Sequence, residues 1–457
     1  MGLRPLVRYL RFSPFDTATP EGRTHERYRL AFLSMAANLL SRIASMALIL
    51  FGVGLTLPYL GAERFGVWMT ISGFVGMLTF LDLGVGNALT NRVAQAAARE
   101  NPEELPQVIS GGLALLALLA VGIGVLLSLL ARVIPWDSLI KVANPDTRTE
   151  TETALKIFAL LFAANLFTGG INRVFAGLQR AFEAHLFSIL GTLLSLLLLW
   201  LASRQQADIA HLLAATLGGQ SLASLGLLAI LYRRGQLTFR DLSRNPGSGT
   251  LLHDGSLFFL IQVGTMAAWG ADNLIIASTL GAAQVAVFGV TQRLFQLVSQ
   301  PLAIVNAPLW AAYADAHSRH ETSFIRKTLA RSLLLSFFLG LLGSAILLFT
   351  GDGLVSLWTR GTIVVPSTLL AAFAAWTVIE ATANAFAVFT NGCNILRAQA
   401  FGVISLILVA IPVKIHLAAE YGIAAMLIGF TTIFLINIAF WFGFRFKDQI
   451  HAALGRG

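Results

Sequence analysis

The stretch LILFGVGLTLPYLGAERFGVWMTISGFVGMLTF, Leu48 to Phe80, holds two charged residues, Glu63 and Arg64, set between two apolar runs. About 20 mostly apolar residues suffice for a helix to cross the hydrocarbon core of a bilayer. The stretch therefore reads as the end of one membrane span, a tight turn around Leu60-Gly61-Ala62, and the start of a second.

Composition extends that reading to the whole chain. Of 457 residues, 56% are hydrophobic and 12% charged, and the mean hydropathy is +0.74. Soluble domains carry about 25% charged residues. Length alone would suggest about three soluble domains, but too few polar side chains exist to cover three surfaces. The 41 glycines and 32 phenylalanines suit packed membrane helices.

The same criterion predicts twelve spans: 31–57, 65–89, 107–131, 154–176, 181–202, 208–231, 254–280, 284–311, 329–350, 364–390, 395–416 and 421–444. The longest external loop is expected at 132–153. Five regions follow: an N-terminal segment 1–29, a first lobe 30–231, an inter-lobe loop 232–253, a second lobe 254–445 and a tail 446–457. With the N-terminus cytoplasmic, 22 of the 32 Lys and Arg fall on the cytoplasmic side. Eight, Lys414 among them, fall outside, and Arg42 and Arg293 fall within spans. The positive-inside rule then puts both termini in the cytoplasm of a plasma-membrane protein. It also explains the net charge of +9 without nucleic acid.

An internal repeat supports the division into lobes. YLGAERFGVW, Tyr59 to Trp68, returns 220 residues later as TLGAAQVAVF, Thr279 to Phe288. Six spans per lobe give both halves the same orientation, so the repeat is parallel.

Charges inside hydrocarbon are expensive and usually face a bundle interior or a wet cavity. In the first span Asn38, Ser41, Arg42 and Ser45 form a polar stripe at helical spacing. That stripe reads either as a cavity face that binds an anion or as a salt-bridged or snorkelling structural arginine. In the eighth, Gln292, Gln296, Ser299 and Gln300 share a face that Arg293 borders. Asp82, Asp272 and Glu380 are candidates for ion coupling or for pairing with buried cations. The sequence has no GxSxG, no P-loop and no external loop large enough for catalysis, so no enzyme is expected. His317 and His320 lack further ligands, and neither a metal nor a cofactor is expected.

The segment LPYLGAERFGVWMTISGFVGMLTFLDLGVGNALTNRVAQ, with Leu60-Gly61, Phe65-Gly66, Trp68 and Asp82-Leu83-Gly84, resembles polysaccharide-repeat-unit flippases of the O-antigen type. These belong to the multidrug/oligosaccharidyl-lipid/polysaccharide exporter superfamily. DNLIIASTLGAAQVAVFGVTQRL in the second half is similar to the family's seventh-to-eighth span segment. The resemblance implies an all-α integral membrane fold, with about twelve helices in two six-helix lobes around a central cavity. It implies a polyprenyl-pyrophosphate-linked glycan as cargo, flipped to the external leaflet by alternating access. It also implies contact with membrane lipid and with a polysaccharide polymerase or ligase. Arg42 and Arg293 would then meet the pyrophosphate, with Asn38, Ser45, Gln292 and Gln296 beside them. The alternative is a cation-coupled drug or small-molecule antiporter of the same superfamily, in which an acid, Asp272 or Glu380, would be essential.

Overall fold

The computed structural model describes residues 11, 13, 15–16, 19–78, 85–98, 104–237, 270–306, 309–393 and 395–455. All regular structure among them is helical. In the first half these are α1 (Pro20–Leu78), α2 (Val85–Ala98), α3 (Glu104–Val133), α4 (Trp136–Ile140), α5 (Pro145–Gly177), α6 (Ala181–Arg204) and α7 (Ile209–Arg233). The second half supplies α8 (Asp272–Leu280), α9 (Ala282–Asn306), α10 (Leu309–Ser318), α11 (Thr322–Thr359), α12 (Ser367–Gly392), α13 (Leu396–Ile438) and α14 (Lys447–Ala453).

Eight of the described helices are long and apolar enough to cross a membrane. Two of them, Phe32–Phe74 and Ala398–Arg445, run 43 and 48 residues, about twice the length one crossing needs. Each bends where the helical backbone fails. Gly61 has φ 71° and ψ 174°, and Gly422 has φ 82° and ψ −173°. Gly281, which separates α8 from α9, has φ 93° and ψ 164°. This region of backbone space is essentially open to glycine alone. Leu60-Gly61-Ala62 and Leu280-Gly281-Ala282 therefore match in backbone conformation as well as in sequence.

Several boundaries differ from those expected. The loop expected at 132–153 is shorter, because α5 begins at Pro145. Asn144 caps it: its Oδ1 accepts from Asp146 N at 2.9 Å, and its carbonyl accepts from Arg148 N. Proline suits the first helical position, where no amide donor is needed. The eleventh and twelfth spans meet at Gly422, with no loop between them. Most of the seventh span and of the loop 232–253 lies outside the described residues, as does Asp82.

Contacts divide the chain into two compact units. The first comprises Met1–Leu55, Leu78–Pro135 and Thr149–Gln262, the second Thr56–Met77, Trp136–Arg148 and Val263–Gly457. In the first unit, Val85, Leu89 and Val93 of α2 recur every four residues and so share one face. They pack with Leu113 and Leu116 of α3 and Phe175 of α5 into an apolar core. Asn165 Nδ2 donates to Ser221 Oγ at 3.0 Å, joining α5 to α7.

In the second unit, small residues let helices approach closely. A Cβ at Gly66 would lie on the Ala282 carbonyl. Nearby, Asn273 Nδ2 donates to Met69 O at 3.3 Å, and Lys141 Nζ donates to Thr279 O at 2.8 Å. A separate apolar core forms where Tyr313, Ile325, Phe389 and Ala398 meet.

Candidate intramembrane binding site

Arg42 lies on α1 with its side chain exposed, and its Nε donates to Asn38 Oδ1 at 3.3 Å. His185 on α6 is within its electrostatic reach. The rest of the polar stripe is used within the unit. Ser41 is buried and its Oγ donates to Ser188 Oγ at 3.1 Å, while Ser45 Oγ donates back to Ser41 O at 2.9 Å. Asn38 and Arg42 are thus the stripe's guanidinium and amide pair, and Ser41 fastens α1 to α6.

Arg293 on α9 is half-buried, as are Gln292 and Gln296. No carboxylate pairs with Arg42 or Arg293 among the described residues. Further along α9, Ser299 is buried and hydrogen-bonds the Glu380 carboxyl of α12. The polar face of α9 therefore turns toward α12 at that level.

Glu380 lines a cavity of about 390 Å³ walled by α12 and α13. Asn384, Gln399 and Asn437 also line it. Gln399 Nε2 donates to Thr390 Oγ1, and Asn437 Nδ2 donates to Ser405 Oγ at 2.7 Å.

Asp272 is buried at the first turn of α8 and pairs with a residue the sequence reading misplaced. Lys414, counted there as an external charge, is 1% exposed inside the second unit. Its Nζ donates to Asp272 Oδ1 at 2.6 Å and lies 3.6 Å from the centroid of the Phe430 ring. The sequence sets Lys414 near the end of a span over 395–416. The helix in fact runs on to the glycine corner at 422, which puts Lys414 two turns inside it. Among the described residues no group of His, Cys, Asp and Glu is arranged to hold a metal.

Long apolar helices, glycine corners and charges placed inside apolar spans define a multi-pass membrane protein. Residues 31–314 match the family described as polysaccharide biosynthesis protein, and the chain belongs to that family. It is 20% identical over 416 residues to a Yersinia pseudotuberculosis protein assigned to O-antigen export, covering 90% of this chain and 94% of that one. Its fold is that of the exporter superfamily. A multidrug resistance MATE family transporter in an inward-facing conformation aligns with a TM-score of 0.76 at 17% identity, covering 89% of this chain and 95% of that one. The lipid II flippase MurJ aligns with a TM-score of 0.70 at 12% identity, covering 92% and 90%. A superfamily transporter from Pyrococcus furiosus aligns with a TM-score of 0.66 at 16% identity, covering 93% and 96%.

Proposed function

We propose that the protein flips a polyprenyl-pyrophosphate-linked oligosaccharide from the cytoplasmic to the external leaflet by alternating access, for cell-surface polysaccharide synthesis. The observation that carries this reading is the pair of intramembrane arginines. Arg42 in the first half and Arg293 in the second both lack a carboxylate partner among the described residues. A guanidinium stays charged at every physiological pH and binds phosphate oxygens through a planar fork. An anionic headgroup offsets the desolvation of such a group inside a membrane protein. Asn38 and Ser45 beside Arg42, and Gln292 and Gln296 beside Arg293, are the neutral groups proposed to flank the headgroup.

Family membership and the relative assigned to O-antigen export support a glycan-lipid cargo. In this reading both termini lie in the cytoplasm, the lobes are 30–231 and 254–445, and a polymerase or ligase takes the product outside. Of the three candidate acids, Asp272 acts as a charge-pairing group, because Lys414 already neutralises it.

In a cell whose surface polysaccharide depends on this protein, Arg42→Ala should stop glycan delivery while the protein stays in the membrane. Normal delivery would remove the arginine from the cargo site. Proton-driven ethidium transport without any glycan-lipid flipping would favour the antiporter reading.

A further inference from the structure

Two hydrogen bonds fix how α1 and α6 lie against each other in the first unit. Ser34 Oγ accepts from Phe182 N at 3.1 Å, and further along Ser41 Oγ donates to Ser188 Oγ at 3.1 Å. The first joins positions 148 apart and the second positions 147 apart. The two helices therefore run parallel in a nearly constant register. Asn38 stands between these rungs on α1, and the same offset sets it level with His185 on α6.

Arg42 starts one turn further along α1. Its side chain turns back toward the helix N-terminus, as helical side chains do, and its Nε reaches Asn38 Oδ1 at 3.3 Å. The guanidinium is thereby brought to the level of His185, which feels its charge. Two groups that can both be cationic repel when they share one place. Among the described residues no carboxylate pairs with either of them. The single acid of α6, Glu183, is already bound by Arg180 at 3.2 Å and Arg234 at 3.0 Å. At this level α7 brings Gly226 against Phe187, an apolar contact. An anion is what this pair lacks.

A guanidinium fork engages the oxygens of one phosphoryl group. A pyrophosphate has a second, which one arginine leaves unmet. An imidazole donates from a ring nitrogen and carries charge when protonated. We infer that His185 is a further binding residue of the headgroup site, where it holds the second phosphoryl group and makes the site prefer pyrophosphate to monophosphate. The inference rests on the glycan-lipid reading, in which Arg42 meets the pyrophosphate. Phospholipids of the surrounding bilayer, with one phosphate each, are disfavoured by the same count.

The test is equilibrium binding of fluorescent polyprenyl pyrophosphate and polyprenyl monophosphate, neither carrying sugar, to the full-length protein in phosphatidylcholine nanodiscs. The unmodified protein should bind the pyrophosphate about tenfold or more tightly. His185→Phe keeps a ring and removes the donor, and His185→Ala removes both. Either should bring pyrophosphate affinity down to that of monophosphate and leave monophosphate affinity unchanged. His185→Lys restores a cation and should keep the preference. Arg42→Ala should weaken binding of both lipids. Thermal unfolding checks that each variant is folded. An undiminished preference in the folded His185 variants, with Arg42→Ala still weakening both lipids, would overturn the role of His185 alone. Equal weakening of both lipids in those variants would do the same, because a structural histidine acts on the two alike. Binding that Arg42→Ala leaves unchanged would remove the headgroup from this site, and the use of Arg42 in the glycan-lipid reading would fall with it.

Discussion

Lys414 Nζ lies 2.6 Å from Asp272 Oδ1, and the pair is buried between α13 and α8. Lys414 stands eight residues before the Gly422 corner, and Asp272 nine before Gly281. At 1.5 Å per residue, both lie about 12–14 Å below their corners, so the two helices present opposite charges at matching depth. The Phe430 ring faces the ammonium and adds a further favourable contact.

Removing one member of such a pair leaves the other buried and uncompensated. Asp272→Ala should therefore destabilise the protein by about 3–5 kcal/mol, read as a lowered Tm in detergent and reduced membrane abundance. The double variant Asp272→Leu with Lys414→Met should recover most of that loss, because a matched apolar pair replaces a matched charged one. A double variant as unstable as Asp272→Ala would show that the pair is not the source of the effect.

The matched corners make a second prediction. Alanine at Gly61 or at Gly281 must adopt a backbone reserved for glycine, which costs about 1–3 kcal/mol at each site. The two substitutions should lower Tm by similar amounts. Gly66→Val should be more damaging, because its side chain would collide with the Ala282 carbonyl and force the two helices apart. Equal tolerance of Gly66→Val and Gly61→Ala would contradict this packing.

Much of this was legible in the sequence. The apolar runs located the membrane helices, and the Leu-Gly-Ala repeat located two corners that share one backbone conformation. The structure departs from the sequence expectation at two connections, one shorter than 132–153 and one reduced to the Gly422 corner. Asn144-Pro145-Asp146 carries an N-cap, a first-position proline and a first-turn acid, a helix-start signal inside the stretch expected to be loop. Lys414 lies near the end of the expected span 395–416, where a cation reads as external, whereas the helix continues past it to Gly422. Its pairing with Asp272 joins residues 142 positions apart, and periodicity along one helix carries no information about a partner on another. Glu380 was visible as an acid in a span, but the cavity around it depends on how α11, α12 and α13 pack.

The N-terminal segment should respond to acid. Glu26 accepts from Arg29 through both carboxylate oxygens and from Phe15 N at 2.9 Å, while Arg29 Nη1 donates to Arg11 O. The hydrogen bond from Arg29 holds the Glu26 carboxyl below its ordinary value. Its stabilisation is therefore complete above the ordinary glutamate value of about 4.3 and fades as pH falls through the lower folded value. Limited proteolysis near Arg11 to Asp16 should accelerate in that acid range. Glu26→Gln should cleave fast at every pH. A pH-independent rate in the unmodified protein would contradict the clamp.

The charge bias predicts topology. Green fluorescent protein fused after Gly457 should fluoresce, and alkaline phosphatase inserted after Thr362 should be active. The reverse pattern would invert the orientation proposed for the cargo's path.

The most direct test is flipping by purified protein in proteoliposomes loaded with a fluorescent polyprenyl-pyrophosphate-linked glycan. Transfer between leaflets should be protein-dependent. It should fall by about tenfold or more in Arg42→Ala and in Arg293→Ala at equal reconstitution, with Arg42→Lys intermediate because it keeps the charge and loses the fork. Transfer at the unmodified rate in both alanine variants would contradict a pyrophosphate-binding role for the two arginines.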